Sequence, residues 1–329
     1  QFLREKNKTD GDSPISVAIK LQEAEIANSL VEYLTAESLY YMNDEGNTYV
    51  YLAAQKGMAK FIESLSNKYS TYLSGMDLYD FSDLDKPNLR GETAIFVASN
   101  QETAEILRTL WFKGVLNFSH PYNGFYHHRD VEENTFLHRA ALDNRYEVLS
   151  WARRAFCGVN SWQAPEKLWL QRTVGGIWDF MGDLQIVREN LFNRANALGD
   201  TPLHIAIRHL NPEAVSAIVN CEELYFDMQN KEGRSFLIEV LAALDPSTKE
   251  TKESAKRIFL SLLEKKNRFL AWRYDTSHYV NLADQEGNSS LHWAARLADD
   301  SFYNQLRPFG DIYLQNNRGQ TSEALFSAR

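Results

Sequence analysis

The sequence predicts an all-α fold in which about seven to eight helix-turn-helix repeats stack into a solenoid, with short hairpin-like loops and helical insertions. Three observations support this prediction. A short block of residues recurs eight times. An amphipathic stretch with apolar residues at helical spacing follows the block in several copies. At 329 residues the chain is also long for one globular core, which favours two domains or an array that grows along one axis.

The recurring block consists of a glycine, a variable residue, a serine or threonine, and a short apolar stretch that usually contains alanine. Its copies read GDSPISVAI, GNTYVYLAA, GETAIFVAS, ENTFLHRAA, GDTPLHIAI, GRSFLIEVL, GNSSLHWAA and GQTSEALFS. Their serine and threonine residues are Ser13, Thr48, Thr93, Thr135, Thr201, Ser235, Ser289 and Thr321, which are 35, 45, 42, 66, 34, 54 and 32 positions apart. Three separations match a repeat of about 33 residues, and the others indicate the same repeat with an insertion.

Each residue type in the block has a physical role in starting a helix. A glycine accepts the positive φ of a tight turn, and the serine or threonine caps the helix that follows. Proline at the next position, as at Pro14 and Pro202, costs nothing because its missing N–H would be unsatisfied there. An aliphatic residue and an alanine, such as Leu203 and Ala206, then lie on one face, where the small alanine permits close packing.

A second amphipathic helix is expected after the block, as in YEVLSWA from Tyr146 and PEAVSAIVN from Pro212. Two antiparallel helices cannot bury their own apolar faces, so neighbouring units must stack on one another. The repeating unit is therefore a turn followed by a helix pair.

The blocks resemble ankyrin repeats, whose signature is G-x-T-P-L-H-x-A-A. GDTPLHIAI from Gly199 is the most similar copy, and YVNLADQEGNSSLHWAA also has the V-N-x-x-D lead-in of the hairpin between repeats. The proline and histidine of the signature are replaced in several copies, which indicates a divergent array. The resemblance implies that His138, His204 and His292 bridge backbone groups of neighbouring hairpins.

The long separations define the expected domain organisation. Repeats one to four occupy residues 1–150, repeats five to eight occupy residues 197–329, and an insertion occupies residues 151–196. The insertion contains three tryptophans, Trp162, Trp169 and Trp178. It is predicted to form extra helices on the outer side of the array, with a dedicated binding finger as the alternative. Between repeats six and seven, a polar loop from Asp245 is expected to precede a lengthened helix.

Composition and charge exclude several classes of function. With 44 acidic and 35 basic residues the formal charge is −9, which disfavours nucleic acid as a partner. Cys157 and Cys221 are too few for a disulfide framework and lack the spacing of a zinc site, which favours a reducing compartment. No apolar run predicts a membrane span. The polar start without an initiator methionine suggests a processed or truncated chain.

No motif predicts catalysis, and we expect neither a cofactor nor a metal. Three histidines of one aromatic-rich segment are candidate metal ligands, namely His120, His127 and His128. A zinc site would need a further carboxylate or thiol ligand, so a recognition loop is the favoured alternative. A thiol enzyme built on Cys157 with His120, His138 or Asp179 stays open, although a buried structural cysteine is favoured. The chain is therefore expected not to be an enzyme.

The resemblance implies that a protein partner docks on the concave side, which consists of the hairpin tips and the start of each first helix. The implied binding residues are Asp44, Glu45, Asn47, Gln55, Lys56, Leu89, Arg90, Glu92, Asn100, Gln101, Glu132, Asn134, Asp143, Leu198, Asp200, Arg208, His209, Lys231, Glu232, Arg234, Gln285, Glu286, Asn288 and Arg296.

The expected function is thus that of a protein–protein interaction scaffold, monomeric on its own, which binds through the concave face and the inserted loops. The expected location is cytoplasmic, or the host cytosol if the chain is a secreted effector. The alternative function is a substrate-recruiting module of an enzyme or a bacterial effector. In that case the activity would lie in the insertion or in a flanking domain.

Overall fold

The computed structural model describes residues 6–35, 38, 41–73, 86–112, 128–157, 191–221, 224–244, 249–269 and 276–329. In these ranges the regular structure consists of helices and four isolated antiparallel bridges. This confirms the predicted all-α class. The chain divides into two compact units, Gln1–Ala140 and Ala141–Arg329.

The first unit contains three helix pairs and the beginning of a fourth first helix. Its helices are α1 (Pro14–Lys20), α2 (Ala24–Val31), α3 (Tyr49–Gln55), α4 (Ala59–Leu73), α5 (Ala94–Val97) and α6 (Gln101–Phe112). Helix α7 (Phe136–Leu142) begins in this unit and ends just beyond its boundary. The first helices α1, α3 and α5 pack in one layer, and the second helices α2, α4 and α6 pack in another. This is the predicted stacking of helix pairs.

The second unit has the same two layers. Its elements are α8 (Tyr146–Phe156), a 3₁₀ turn (Leu191–Asn193), α9 (Pro202–Arg208), α10 (Pro212–Val219), α11 (Phe236–Ala242), α12 (Lys249–Phe269), α13 (Thr276–Asn281), α14 (Ser290–Arg296), α15 (Asp300–Leu306) and α16 (Ser322–Ser327). Helices α9, α11, α14 and α16 form one layer, and α8, α10 and α12 pack side by side in the other.

The lengthened helix predicted between repeats six and seven is α12, which has 21 residues. The polar loop predicted before it, from Asp245, falls on residues 245–248 and lies outside the described residues. The same holds for residues 158–190, which contain the three tryptophans of the predicted insertion.

The recurring block starts its helices as its residue types predict. The glycine has a φ between +69° and +78° in the seven copies that contain one, and the fourth copy places Glu133 there with a φ of +61°. Side-chain oxygens accept a hydrogen bond from the backbone N–H three residues later at Ser13, Thr48, Thr201, Ser235 and Thr321. In these five copies glycine and cap together therefore set where the first helix begins, whereas Thr93 of the third copy makes no cap hydrogen bond.

The turn before each block is stabilised by its first residue, an asparagine or aspartate. In the third repeat, the Asn88 Oδ1 accepts the backbone N–H groups of Arg90 at 2.9 Å and Glu92 at 3.0 Å. Backbone hydrogen bonds then join neighbouring tips. In each pair the backbone N–H of the first residue donates to the carbonyl oxygen of the second. The pairs are Leu89 and Glu45 (3.1 Å), Val131 and Arg90 (3.1 Å), Lys231 and Leu198 (3.0 Å), Gln285 and Glu232 (3.1 Å), and Asn317 and Glu286 (3.0 Å).

The core lies between the two helix layers of each unit. The predicted inward positions are buried, with an exposed fraction of 6% or less. They are the aliphatic residues Ile15, Val50, Ile95, Leu137, Leu203, Leu237 and Leu291, together with Ala18, Ala53, Ala98, Ala140, Ala206, Val240 and Ala294. The pattern read from the block therefore identifies the core correctly in both units.

The two cysteines are the point at which the structure differs from the sequence-based expectation. Cys157, just after α8, and Cys221, just after α10, form a disulfide with a Cα–Cα distance of 5.7 Å. The expectation of two reduced cysteines is therefore wrong, because the packing of α8 against α10 brings the ends of both helices together. Disulfides persist in oxidising environments, so the cysteine content no longer supports a reducing compartment. The cytoplasmic location stays a prediction.

Candidate protein-binding surface

The hairpin tips form the exposed edge of each unit. Two residues precede the block glycine, or Glu133 in its place, at every tip, and their backbone groups are used in the ladder between neighbouring hairpins. Their side chains lie in solvent, including those of the apolar residues Leu89 (77% exposed), Val131 (73%) and Leu198 (63%). Side chains that are exposed on an ordered backbone are available for contact with a partner.

Fifteen of the 24 residues implied by the resemblance are exposed. They are Asp44, Glu45, Gln55, Leu89, Arg90, Gln101, Glu132, Asp143, Leu198, His209, Lys231, Glu232, Gln285, Glu286 and Arg296. Four more are half-buried, namely Lys56, Asn100, Arg208 and Arg234. These nineteen lie where a partner can reach them, and their role in binding stays a proposal.

The remaining five implied residues are buried. They are Asn47, Glu92, Asn134, Asp200 and Asn288. Three of them accept a hydrogen bond from the Nδ2 of the asparagine that starts the next hairpin, at 2.9 Å in each case: Asn47 from Asn88, Asp200 from Asn230, and Asn288 from Asn316. The side chains of Asn47, Asp200 and Asn288 therefore hold neighbouring repeats together. Their position between the block glycine and the cap residue is a signal that sequence reasoning could have used.

A buried carboxylate of the first unit, Glu92, joins the second, third and fourth repeats. The Tyr51 hydroxyl donates to Glu92 Oε2 at 2.7 Å, and the Asn88 Nδ2 donates to the same oxygen at 3.2 Å. Arg139 Nη1 lies 3.8 Å from Glu92 Oε1. Burial and the hydrogen bond to Glu92 raise the pKa of Tyr51, so this hydroxyl stays protonated at neutral pH and acts as a donor.

In the second unit, Arg208 connects two buried carboxylates of neighbouring repeats. Its Nη1 and Nη2 donate to the two oxygens of Asp200 at 2.6 and 2.8 Å, and its Nε donates to Glu239 Oε1 at 2.6 Å. Both carboxylates are 1% exposed. Burial would raise the pKa of Asp200, but hydrogen bonds from Arg208 and Asn230 outweigh it and lower that pKa. Burial raises the pKa of Glu239, which receives fewer hydrogen bonds.

Arg234, which lies near Glu239, also contacts an aromatic residue, Trp293, and a second guanidinium group lies beside the same ring. The guanidinium carbon of Arg234 is 5.7 Å from the Trp293 ring centroid, and that of Arg296 is 5.8 Å away. The Trp293 Nε1 donates to Asp284 Oδ2 at 2.8 Å. Neither Trp293 nor Glu239 was among the predicted binding residues. Both occupy the position between the histidine and the alanine of the ankyrin signature, which could have identified them.

Two of the three signature histidines, His204 and His292, have the bridging role that the resemblance implies. The Nδ1 of His204 accepts from the Thr201 backbone N–H at 3.2 Å, and its Nε2 donates to the Arg234 carbonyl of the next hairpin at 3.1 Å. His292 makes the same pair of contacts with Ser289 and Gln320. Burial lowers the pKa of His204 to about 4, against the opposing effect of Asp200. These histidines are neutral structural groups at physiological pH.

The candidate metal ligands are only partly within the described chain. His120 and His127 lie outside the described residues, as does Asp179 of the alternative thiol site. The Nε2 of His128 is 2.6 Å from the Gly91 carbonyl oxygen, and its ring packs edge-on against Phe96. Among the described residues, no group of three histidine, cysteine or acidic side chains is arranged to hold a metal ion. Nor does any described helix combine the length and apolar character that a membrane crossing needs.

Comparison with known proteins finds similar proteins among solved structures alone. No protein-family model matches the sequence, and no curated protein matches it. Among solved structures, the chain is similar to the ankyrin repeat domain of Bcl-3, described as a unique member of the IkappaB protein family. The identity is 17% and the TM-score 0.46, over 96% of this chain and 95% of that one. It is also similar to the ankyrin repeat protein EF0377, at 14% identity and a TM-score of 0.45, over 78% and 98%.

The repeat geometry itself identifies the fold class. Each complete repeat within the described residues combines a stacked hairpin tip, a first helix and a second helix in a separate layer. The bridging histidines complete the pattern that the signature implies. Each unit therefore has the all-α ankyrin-repeat fold that the sequence predicts.

Proposed function

We propose that this chain is a protein–protein interaction module that binds a partner through its hairpin tips and the adjoining first helices, without catalysis of its own. One observation carries the proposal. At the hairpins, Asn47, Asp200 and Asn288, which bond to the next repeat, are buried, whereas tip residues such as Leu89, Arg90 and Lys231 expose their side chains to solvent. The exposed residues at the hairpin tips, called the exposed row below, can therefore have side chains that suit a partner without loss of the fold.

The chemistry of the exposed row also supports recognition of a protein. It combines aliphatic residues such as Leu89 and Leu198 with cations such as Arg90 and Lys231. A protein interface typically has an apolar centre and a polar rim, and arginine is enriched at positions that contribute much of the binding energy. We also propose that the inserted segment 151–196 adds to this surface, and that the module is monomeric on its own.

The test compares two matched triple variants of the whole chain. The face variant changes Leu89, Arg90 and Lys231 to alanine, all of which are exposed at tips. The control variant changes Leu260, Arg257 and Lys60 to alanine, which are exposed on second-layer helices. Arg208 is unsuitable for this purpose because it donates hydrogen bonds to two buried carboxylates, so its removal would also destabilise the fold.

The measurement is affinity capture from eukaryotic and bacterial lysates, followed by quantitative mass spectrometry. We expect a protein that the wild-type chain and the control variant retain and that the face variant loses by at least about tenfold, equivalent to ~1.4 kcal/mol. Equal capture by both variants would contradict the assignment of the face.

The competing proposal is a substrate-recruiting module of an enzyme or a bacterial effector. Replacing residues 158–190 by a glycine-serine linker of the same length retains Cys157 and separates the two cases. If capture survives the face variant but is lost with the linker, binding resides in the insertion, and the face assignment is wrong.

A further inference from the structure

Three residues of the second unit form what we call the Arg–Trp surface: Arg234, Trp293 and Arg296. Trp293 lies on α14, Arg296 ends the same helix, and Arg234 lies in the hairpin that precedes α11. Both guanidinium groups are within 5.8 Å of the ring centroid of Trp293. The surface is half-buried at Arg234 and Trp293 and exposed at Arg296.

Trp293 is held in a defined orientation. The hydrogen bond from its Nε1 to Asp284 Oδ2, at 2.8 Å, fixes the indole relative to the hairpin before α14. Asp284 also accepts the backbone N–H groups of Glu286 at 2.9 Å and Asn288 at 2.8 Å. The aspartate is therefore occupied within the chain, and the indole presents an ordered apolar surface between two cations.

The two arginines differ in how far their charge is neutralised. The Arg234 Nε is 3.0 Å from Glu232 Oε2, and its Nη1 is 3.9 Å from Glu239 Oε2. The Arg296 Nη2 donates to the amide oxygen Oδ1 of Asn288 at 2.8 Å. Among the described residues, no carboxylate lies within ion-pair distance of Arg296. This exposed cation therefore has donors that no acid in the described part of the chain satisfies.

The nearby acids cannot supply that partner, because they are already engaged. Glu239 is buried and accepts from Arg208 at 2.6 Å. Glu232 pairs with Arg234, and Glu286 is 3.8 Å from Arg318. Arg296 is therefore a cation of the Arg–Trp surface that has no ion-pair partner among the described residues, although the chain as a whole carries −9. A complementary ligand brings a negative group to Arg296 and an apolar group to Trp293.

We propose that the Arg–Trp surface binds an acidic peptide segment of a partner protein, with a carboxylate on Arg296 and a neighbouring apolar side chain against Trp293. This inference rests on the proposed interaction function and names the chemistry of the partner. Carboxylate fits better than phosphate, because the exposed Glu232 and Glu286 and the buried Glu239 oppose a dianion more strongly than a single charge. Arginine binds carboxylates through paired hydrogen bonds, which adds geometric specificity.

The test uses an array of synthetic dodecapeptides in which acidic, basic, neutral and phosphoserine sequences are equally represented. The fluorescently labelled whole chain is applied as wild type, R296Q and R257Q. Arg257 is exposed on α12 and gives a matched loss of one positive charge away from the surface. We expect the wild type and R257Q to bind preferentially peptides in which Asp or Glu is adjacent to Leu, Phe or Trp.

For the best acidic peptide, fluorescence polarisation in solution should show about tenfold weaker binding to R296Q, partial retention by R296K, and weaker binding at higher salt. Replacing the acids of the peptide by their amides should weaken its binding to the wild type to the same extent. Circular dichroism of R296Q should match that of the wild type, because Arg296 is exposed.

Three results would overturn the inference: no preference for acidic peptides, a preference that R296Q retains, or a preference for phosphoserine over Asp and Glu. The proposed function has its own readout in the Leu89, Arg90 and Lys231 triple variant. If that variant loses its captured partner while R296Q keeps it, the interaction module stands and the acidic-peptide inference fails.

Discussion

His204 shows how a single residue couples the packing of repeats to pH. It is buried and neutral, and it bridges Thr201 and the next hairpin. Its pKa in the folded chain, about 4, lies below the ordinary value of 6.5. Between these two values the unfolded chain binds a proton that the folded chain does not bind. The free energy of unfolding should therefore fall as the pH is lowered through this range.

From pH 7 to pH 5 the expected loss from His204 is about 2 kcal/mol, because each pKa unit corresponds to 1.36 kcal/mol. Urea unfolding of wild type, H204Q and H209Q at both pH values measures it. H204Q should be less stable at pH 7 and less sensitive to pH, whereas H209Q, at an exposed histidine, should follow the wild type. An unchanged pH dependence in H204Q would show that His204 is not the titrating group.

Glu133 occupies a backbone position that glycine holds in the other copies of the block, with a φ of +61°. A residue with a Cβ is strained there, and its exposed ion pair with Arg129, at 3.7 Å, gives little in return. We expect E133G to raise the free energy of unfolding by about 0.5–1 kcal/mol. Chemical denaturation measures this gain.

The matched control is G199A, at the equivalent position of the next repeat. Gly199 has a φ of +77°, and an added Cβ would lie 2.7 Å from the Lys231 backbone nitrogen. This variant should lose at least about 1 kcal/mol through strain and the clash. If both substitutions had the same sign, the strain argument for this position would fail.

At the scale of the element, Arg208 ties helices α9 and α11 together through Asp200 and Glu239. The R208A variant removes the cation that both buried carboxylates share and leaves Glu239 with Arg234 Nη1 at 3.9 Å. Because the Arg208 side chain is 35% exposed, solvent compensates part of this loss, and we expect a cost of about 2–3 kcal/mol. The double variant R208A/E239Q should recover part of it, since the amide removes one buried charge.

The control for Arg208 is R307A, whose ion pair with Glu323 is exposed on both sides at 51% and 43%. It should change the free energy of unfolding by less than about 0.5 kcal/mol. Thermal and urea unfolding distinguish the two variants. Equal costs at Arg208 and Arg307 would mean that the buried carboxylates do not depend on their cation.

Much of the architecture at this scale follows from the sequence because the block combines local signals. Glycine, cap residue and inward alanine act within a few residues of one another, so the helix starts and the core positions are predictable from spacing alone. The direction of side chains at a hairpin depends on the neighbouring hairpin, which lies 30 or more residues away. Asp200 and Asn288 were therefore placed on the binding surface by resemblance, whereas their hydrogen bonds with the next repeat hold them inside.

At the scale of the whole molecule, the disulfide is the feature that sequence reasoning could not supply. Cys157 and Cys221 are 64 residues apart, and only the packing of α8 against α10 brings them together. Without knowledge of that packing, two cysteines in a long chain predict free thiols. The Arg–Trp surface could not be predicted from the sequence for the same reason, because Arg234 and Trp293 belong to different repeats.

The disulfide should contribute to stability by restricting the unfolded chain. In the loop-entropy account, closing a loop of 64 residues contributes about 4 kcal/mol. The C157S/C221S variant should therefore unfold at lower denaturant than the oxidised wild type by about this amount, and a reducing agent should lower the wild type to a similar level without affecting the variant. Thiol titration of the folded wild type under non-reducing conditions should find no free thiol. Two reactive thiols, or a stability indifferent to reduction, would show that Cys157 and Cys221 are not joined in solution and would restore the original expectation of reduced cysteines.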